Sequence, residues 1–568
     1  MVEAEALKAD VLVIGGGVAA LRAAIAAGEA GADVLVCCKG IAGRSGNTVP
    51  STADISAYIP ELGTDDSEET FTSDTLGAGA SIADDSLVQL LAERSGAAVL
   101  DLERLGIRLL RDGDHIDRTK AAGHTRARTY RADSKGLGPN KGLALSVPLA
   151  ERARELEIRF LDRTPVVDLR VTPEHAAAVA VDLQSNRVLD IAAVAVVAAA
   201  GGASHLFART NGTADATGDV ITYALHAGAV ARDMEFVQWH PTRMDDPVPL
   251  FLTNGLLADG AVFRDAAGRP FMADYDPRAD LAPRDVLAKA VYLEASSGRG
   301  ISGGVYLDCS AIPADRIALR HSYLAETLQK HGVDFPRQWL VVSPATHFLM
   351  GGIEIDQNAA SSVPGLFVAG ETAGGIHGAN RLGGNAFCEG LVFGTIAGQQ
   401  AATYAGERKR WSVNAAVVSI DGLAVHLDAT AADPRPALQS LWQRLRSTMW
   451  QHASLVRDAE GLGQAAALVD GLAEEAAALK APTVGGAARI LDLSAGLDCA
   501  RMIVAAATFR KESRGAHWRS DFPETSDAWF GHTRVTWDGS ARKPKFEFCP
   551  RVSALPLGEG TGVTLAIG

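Results

Sequence analysis

The N-terminal part of the chain passes from an apolar run to glycines and back to an apolar run. Residues 11–14 form a continuous aliphatic run, which is typical of a parallel strand buried on both faces. Glycines follow, then an alanine-rich stretch of helical length, and a second apolar run ends at Cys38. The pattern predicts a strand, a tight turn, a helix and a second strand.

Two later stretches have the same arrangement. The apolar run 194–198 leads to Gly201, and a helix is predicted to begin at Asp219. A third apolar run leads to Gly370 and Glu371, with a helix expected from about Asn385. The chain therefore has three strand ends rich in glycine, hundreds of residues apart.

The first glycine turn fits a dinucleotide fingerprint. Gly15-x-Gly17-x-x-Ala20 opens a helix, whose N-terminal N–H groups can meet a pyrophosphate. The carboxylate that usually closes the second strand and binds ribose is absent, since Cys38 and Lys39 stand there. Three separated glycine-rich strand ends would meet only on a long ligand, and FAD fits this demand better than NAD.

The pattern changes along the rest of the chain. Residues 243–342 hold short strands, one helix and no nucleotide motif, which indicates an inserted cap. Leu438, Leu441, Leu445 and Met449 recur at helical spacing, as on a buried helix face. We predict an α/β fold: a Rossmann-like FAD-binding domain (1–242 and 343–410), an inserted α+β capping domain (243–342), a C-terminal helical domain (411–520) and a C-terminal tail (521–568).

Composition narrows the function classes. A net charge of -14 and a pI near 5.5 argue against nucleic-acid binding. The six cysteines form no C-x-x-C pair, which argues against a metal site or an iron–sulfur cluster. The longest apolar run, 191–203, is shorter than the roughly 20 residues of a membrane helix, and the first residues lack the features of a secretory signal. A cytoplasmic protein with no membrane span is expected.

Several ordered motifs carry a family resemblance. They are "VIGGGVAALRAA", "VVAAAGGA", "QWHPT", "APRDVLAKA", "THFLMGGIEID", "LFVAGETAGGIHGANRLGGNAF" and "RKESRGAHWRSDFPE". Together they resemble the flavoprotein subunit family of succinate dehydrogenase, fumarate reductase and L-aspartate oxidase. The resemblance implies hydride transfer between flavin N5 and a dicarboxylate. In the last motif, Asp521 and its flanking arginines fit either a retained family domain or a solvated surface.

The resemblance also implies roles for individual side chains. His240 and Thr253 match the residues that hold one substrate carboxylate, and His347 and Arg381 match those that hold the other. A guanidinium has a planar two-donor fork suited to a carboxylate. Arg284 matches the proton donor or acceptor, although an arginine is a poor acid unless neighbouring groups replace its proton.

Two departures from the family limit the comparison. Gly46 and Asn47 stand where the respiratory members have the histidine that is joined to the flavin, so we expect non-covalent FAD. We assign the following residues to FAD binding: Gly15, Gly17, Ala20, Lys39, Ser45, Asn47, Thr48, Ala200, Gly201, Asp219, Gly370, Glu371 and Asn385.

The second departure lies in "FLTNGLLADG", which by itself predicts a turn between two strands. The family has a glutamate that passes protons to the active-site arginine, where this chain has Asn254, and an arginine where it has Leu257. An amide does not titrate, but it can orient a substrate, so we include Asn254 among the substrate-binding residues.

Three functions stay open after this departure. The first is an FAD-dependent oxidoreductase of a C4-dicarboxylate-type substrate, meaning succinate or fumarate, aspartate or an N-substituted analogue. The second is a conventional succinate dehydrogenase or fumarate reductase subunit in which another residue replaces the glutamate. The third is a catalytically weak flavoprotein subunit. An iron–sulfur or other electron-transfer partner and a homo-oligomer are the assemblies left open.

Overall fold

The computed structural model describes residues 4–121, 123–253, 255–408 and 421–551. These residues divide into two compact units. The first comprises the chain up to Ala208, Gly212–Val237 and the chain from Phe348; the second comprises Arg209–Asn211 and Gln238–His347. The domain boundaries drawn from the sequence stay predictions.

A seven-stranded sheet forms the centre of the first unit. The first two predicted strands pair in parallel, and so do the second and third glycine-rich strands. The order in the sheet is Arg159–Leu161, Val34–Cys37, Ala4–Ile14, Arg187–Ala198, Ala176–Asp182 and Val166–Val171, with Leu366–Val368 paired to Arg187–Ala198. The nearly uninterrupted burial of residues 191–198 fits a strand at the centre of this sheet.

Small residues let two helices of this unit approach closely. Helix Val18–Glu29 packs against helix Asn385–Arg408. A Cβ on Gly394 would lie 2.7 Å from the carbonyl oxygen of Ala19, and one on Gly398 would lie 2.1 Å from that of Ala23. Glycine is required there because any side chain would push the helices apart. The unit's other helices before residue 230 are Glu68–Ala78, Asp85–Arg104, Leu143–Glu155 and Asp219–His226.

The C-terminal part of the first unit is helical and then turns to strands. Its helices are Asp421–Val425, Arg435–Ala453, Ala459–Ala478 and Val484–Phe509. The predicted face of Leu438, Leu441, Leu445 and Met449 is buried. The predicted tail holds two paired strands, and the five-stranded sheet that they join has the order Ala373–Gly374, Gly352–Glu354, Ala231–Arg232, Gly531–Asp538 and Lys543–Pro550. Within the described ranges, no helix has the length and apolar character needed to cross a membrane.

The arginines of the segment between the helices and these strands are buried, whereas Asp521 is exposed. Arg519 is 2% exposed and pairs with Asp521 at 2.7 Å. Arg510 is fully buried and contacts Glu235 and Glu512. These charges are tolerated inside the protein because each has an oppositely charged partner.

The second unit is built on another five-stranded sheet. Its order is Leu250–Phe251, Val237–Met244, Leu340–Leu349, Val305–Asp308 and Val262–Arg264. The helices are Gly255–Ala258, Arg284–Ser296, Ala314–Arg320 and Ser322–Lys330. Leu256 and Leu257 are buried in its hydrophobic core with Phe263, Leu287 and Leu307. The expected turn after residue 251 therefore contains a short helix, whose leucines anchor it to the core.

Candidate functional site

The three glycine-rich strand ends of the first unit meet. Gly15 has a φ of +133°, and a Cβ there would lie 2.1 Å from the carbonyl oxygen of Ala199. Gly370 has a φ of +68°, and a Cβ built on it would lie 2.7 Å from the Cβ of Ala19. Glycine is thus required both by the backbone conformation and by the close approach. The expected convergence of the three segments is present in the fold.

Asn47 links these segments through side-chain hydrogen bonds. Its amide nitrogen donates to Oε2 of Glu371 at 3.2 Å, and its oxygen accepts the N–H of Thr213 at 2.9 Å. The N–H of Leu349 donates to the other oxygen of Glu371 at 3.0 Å. Burial raises the pKa of Glu371, although these donors and Arg381 oppose the increase. Asn47 therefore organises the loop in which the covalently bonding histidine of other members would stand.

The beginning of helix Val18–Glu29 suits a pyrophosphate. Gly17 precedes the helix and gives it no side-chain cap, and the N–H of Val18 donates to Oγ1 of Thr48 at 3.3 Å. Gly201 has a φ of +90°, and a Cβ there would meet no protein atom within 4 Å. Glycines beside a helix N-terminus are what a dinucleotide needs, so the residues present fit FAD.

Lys39 and Asp219 belong to one ion cluster. Nζ of Lys39 lies 2.7 Å from Asp219, 2.8 Å from Asp492 and 2.7 Å from the hydroxyl of Thr217. Burial acts to lower the pKa of Lys39, but the two carboxylates raise it above its ordinary value. An ammonium group has three donors, and these three acceptors and the carbonyl oxygen of Asp215, at 3.3 Å, already surround it. The cluster fixes the start of helix Asp219–His226, and direct contact of Lys39 or Asp219 with FAD stays a prediction.

The remaining predicted FAD residues hold their own segments in place. Ser45 exchanges hydrogen bonds of 2.9 Å with the backbone of Ile41. Asn385 begins its helix and donates to Oγ1 of Thr75 at 3.1 Å. Ala20 is fully buried in the first helix, and Ala200 follows the strand that ends at residue 198. Contact of these four residues with FAD stays a prediction.

Two predicted substrate residues of the second unit lie side by side. The ring centroids of His240 and His347 are 5.2 Å apart. Phe251 packs against both, at 4.3 Å from His240 and stacked at 5.5 Å from His347. His240 is fully buried and His347 half-buried. One small ligand can therefore touch both imidazoles.

Thr242 contacts the buried ring nitrogen of His240. The Thr242 hydroxyl donates to the carbonyl oxygen of Leu252 at 2.6 Å, so its proton is used there. Its oxygen lies 3.1 Å from Nδ1 of His240. The backbone N–H of Thr242 also donates to Nδ1, at 3.4 Å, so two groups of Thr242 hold the ring in position.

Arg284 is the first residue of helix Arg284–Ser296, after Pro283. Its Nη1 donates to Oε1 of Gln238 at 3.3 Å, and Gln238 is fully buried. A positive charge is disfavoured at a helix N-terminus, so the position makes it easier for the guanidinium to release a proton. Gln238 holds the group without adding a charge.

The segment after Phe251 presents Thr253 at the start of helix Gly255–Ala258. Oγ1 of Thr253 accepts the N–H of Gly255 at 3.2 Å, which leaves the hydroxyl proton for donation to a ligand. Asn254 lies outside the described residues. Leu257 is buried in the hydrophobic core, so the position of the family arginine is apolar in this protein.

The first unit holds Arg381 in a defined orientation. Its Cζ lies 4.6 Å from the centroid of Phe348, and Nη1 donates to the carbonyl oxygen of Leu382 at 2.9 Å. Burial, with the nearby Arg381 charge, places the pKa of His377 well below its ordinary value. The arginine is 6% exposed, so its charge acts in a poorly solvated environment.

Sequence reasoning missed three residues of the second unit that support the site: Gln238, Thr242 and Phe251. A usable signal was present for two of them. Gln238 and Thr242 lie two residues on either side of His240, and side chains at this spacing share one face of a strand. Phe251 gave no such signal, because its contact with both imidazoles depends on the pairing of two strands.

Comparisons with known proteins agree with this architecture. Residues 10–387 match the family described as FAD binding domain, and residues 442–557 match fumarate reductase flavoprotein C-term. The chain is 33% identical to one subunit of the fumarate reductase (CoM/CoB) from Methanothermobacter marburgensis, over 93% of this chain and 97% of that protein. It is 34% identical to L-aspartate oxidase of Caulobacter vibrioides, over 94% and 97% respectively.

A solved structure gives the same result. The FrdA chain of E. coli quinol fumarate reductase matches with a TM-score of 0.87 at 26% identity, covering 98% of this chain and 99% of that chain. These findings confirm the predicted fold class, the family and FAD as the cofactor. The chain therefore belongs to the succinate dehydrogenase, fumarate reductase and L-aspartate oxidase family of FAD-dependent oxidoreductases.

Proposed function

We propose that this oxidoreductase acts on a C4-dicarboxylate-type substrate: succinate or fumarate, aspartate, or an N-substituted succinate. His240 and Thr253 hold one carboxylate, and His347 and Arg381 hold the other. Arg284 gives or takes the proton at a central carbon. When bound, FAD supplies the hydride chemistry.

The observation that carries the proposal is the pair of imidazoles 5.2 Å apart, with one ring fixed by Thr242. Two cationic imidazoles so close together would repel each other, and a dianionic ligand compensates their charge. The C4 skeleton has its two carboxylates at opposite ends. One molecule can therefore satisfy both rings and present its central carbons to the redox cofactor.

The surroundings of Arg284 support its role in proton transfer. The neutral amide of Gln238 orients the guanidinium at 3.3 Å, and the helix N-terminus disfavours its positive charge. A general acid or base commonly contributes 10²–10⁴-fold to a rate. Arg284 can make that contribution if another group restores its proton after each turnover.

We also propose that FAD is bound without a covalent bond. Gly46 offers no side chain, and both ends of the Asn47 amide are already engaged by Glu371 and Thr213. Neither residue has a nucleophilic atom for the bond that a histidine forms. Acid precipitation of the purified protein should release the yellow colour to the supernatant. Colour that stays in the pellet would contradict the proposal.

The substrate is identified by an anaerobic screen of flavin bleaching. Succinate, L-aspartate and N-substituted aspartates are added separately to the oxidised protein, and fumarate to the reduced protein. Malonate serves as a non-reactive dicarboxylate that should inhibit by binding. Bleaching by at least one C4 compound is expected, and inert flavin with all of them would favour the weak-flavoprotein alternative.

The electron acceptor is a separate question. Because one relative is a subunit of a fumarate reductase and a solved neighbour is the FrdA chain of a quinol fumarate reductase, we propose an electron-transfer partner for this chain. O₂ is the competing acceptor, since L-aspartate oxidases are also relatives. Hydrogen peroxide formation during turnover would favour O₂. Homo-oligomer formation and a cytoplasmic location stay predictions.

A further inference from the structure

The proton supply of Arg284 needs a different route in this protein. A titratable carboxylate is absent at position 254, which is an asparagine, and Leu257 is buried in the hydrophobic core. Neither residue can exchange a proton. Any replacement has to lie beside the same segment and belong to a group that titrates near neutral pH.

His321 is such a group. Its Cε1 lies 3.8 Å from the point where a Cβ of Gly255 would be, and Oγ1 of Thr253 lies 3.5 Å from the same point. Gly255 directly follows position 254 in the chain. The imidazole therefore lies beside Gly255 and Thr253, the two residues that flank position 254 in the chain.

Asp259 holds this imidazole. Its Oδ2 lies 2.8 Å from Nε2 of His321, and the two side chains are 7% and 4% exposed. The carboxylate stabilises the imidazolium and keeps a proton on Nε2 when the ring is neutral, as in other aspartate–histidine pairs. Arg320 binds the other oxygen of Asp259 at 2.9 Å and is 38% exposed, so the cluster reaches from the buried ring to solvent.

Backbone hydrogen bonds hold His321 in place at the junction of two helices. His321 lies between helices Ala314–Arg320 and Ser322–Lys330. Its N–H donates to the carbonyl oxygen of Ile317 at 2.9 Å, and its own carbonyl oxygen accepts the N–H of Ala325 at 3.0 Å. A histidine bound from both neighbouring helices is held at a set position, as a proton-transfer group requires.

We propose that His321, held by Asp259, is the proton-relay residue that restores Arg284 in place of the family glutamate. The inference rests on the proposed function. In the reducing direction, Arg284 gives a proton to the substrate carbon, the imidazolium of His321 returns one through a hydroxyl or water at the Thr253–Gly255 turn, and solvent reprotonates the ring. Oxidation reverses each step, and no electrons pass through His321.

The main test is His321→Gln, with the substrate found in the bleaching screen. Glutamine can keep a donor toward Asp259 but cannot titrate. We expect kcat to fall about 10²-fold with little change in KM, and the pH profile of kcat to lose one ionisation. Asp259 and Arg320 are charged groups that the structure places beside the ring. His331→Gln, an exposed histidine after the second helix, is the matched control and should retain the wild-type rate.

A rescue experiment separates a relay from a structural role. Asn254→Glu restores the family carboxylate, so it should raise kcat about tenfold or more in the His321→Gln background. Asp259→Asn should lower kcat without lowering the melting temperature as much as His321→Gln. If Asn254→Glu gives no rescue, a purely structural effect of His321 is the better explanation and the proposal fails.

A second readout does not depend on turnover. In protein labelled with ¹³C-histidine, the signal lost in His321→Gln identifies the ring of His321. That ring should change protonation state between about pH 5 and pH 9, and the titration should move when malonate binds. A ring that holds one protonation state throughout overturns the proposal. Wild-type protein that converts no C4 compound overturns the proposed function and the relay together, whereas an active wild type with an equally active His321→Gln overturns the relay alone.

Discussion

The cofactor segments of the first unit and the substrate cluster of the second unit are built in different ways. Around the cofactor segments, the geometry comes from the backbone: a Cβ on Gly15 would lie 2.1 Å from the Ala199 carbonyl oxygen. In the substrate cluster it comes from side chains, since Thr242 fixes His240 and Gln238 orients Arg284. Backbone requirements leave a glycine pattern in the sequence, whereas side-chain support depends on what folding brings together.

The difference also explains where this chain departs from its family. Where two backbone segments approach closely, a glycine cannot be replaced by a residue with a side chain. The first two glycines of the fingerprint are therefore present in this chain. A side chain can be replaced if another group supplies the same chemistry from a different position. The change to Asn254 and Leu257 is of this second kind, and His321 with Asp259 offers the replacement.

The largest expected effect is on the substrate cluster. Arg284→Lys should reduce the rate of substrate-dependent flavin bleaching by about 10²–10⁴-fold, because an ammonium cannot reproduce the oriented guanidinium. Stopped-flow absorbance measures the rate. Arg278→Lys, whose arginine pairs with Asp276 and is 54% exposed, is the control and should stay near wild type. An Arg284→Lys rate above about a tenth of wild type would remove Arg284 from its proposed role.

The backbone side of the comparison is tested at Gly15. Gly15→Ala should destabilise the protein by more than about 3 kcal/mol and abolish stoichiometric FAD binding, since its Cβ meets the Ala199 carbonyl. Gly31→Ala is the control: it also has a positive φ, of +84°, but its Cβ would meet nothing within 4 Å. The control should cost about 1 kcal/mol. Equal losses by both variants in thermal melts would show that strain, not the close approach, dominates.

The first unit also contains a buried carboxyl group, so its stability does not depend on backbone geometry alone. Burial raises the pKa of Glu389 to about 8, from an ordinary value of 4.5. The native state therefore binds the proton more tightly than the unfolded chain, and this stabilisation is lost as the pH rises from about 4.5 through 8.

Glu389→Gln should remove this dependence. Between about pH 5 and pH 9, the wild type should lose roughly 4 kcal/mol more unfolding free energy than the variant. Chemical denaturation at both pH values measures the difference, with the exposed Glu474→Gln as the matched control. Parallel pH profiles for wild type and Glu389→Gln would show that Glu389 does not couple protonation to folding.

The smallest effect is expected at Thr242. Thr242→Val removes the hydroxyl that fixes His240, and should weaken dicarboxylate binding about tenfold, whereas Thr242→Ser should stay close to wild type. Malonate titration of flavin absorbance gives the affinity. Equal affinity of Thr242→Val and Thr242→Ser would contradict the role of the Thr242 hydroxyl in holding His240.

Much of the fold was predictable from the sequence for identifiable reasons. The strand that ends at Ile14, the helix from Asp219 and the helix from Asn385 occur where the apolar and glycine patterns place them. The strands after Gly531 were missed, because their alternation is weak and they need strand Ala231–Arg232 as a partner. The burial of Arg510 was missed because Glu235, which pairs with it, is 275 residues away.

The sequence by itself determined the FAD-binding framework, since a glycine that must approach another backbone closely cannot be exchanged without cost. It also determined the identity of the residues that match the family's carboxylate and proton-transfer positions. Only the tertiary structure decided that His321, paired with Asp259, lies beside Thr253 and Gly255, and that Thr242 contacts Nδ1 of His240. These decisions rest on distances between side chains far apart in the chain, and such distances are set when the sheets and helices pack.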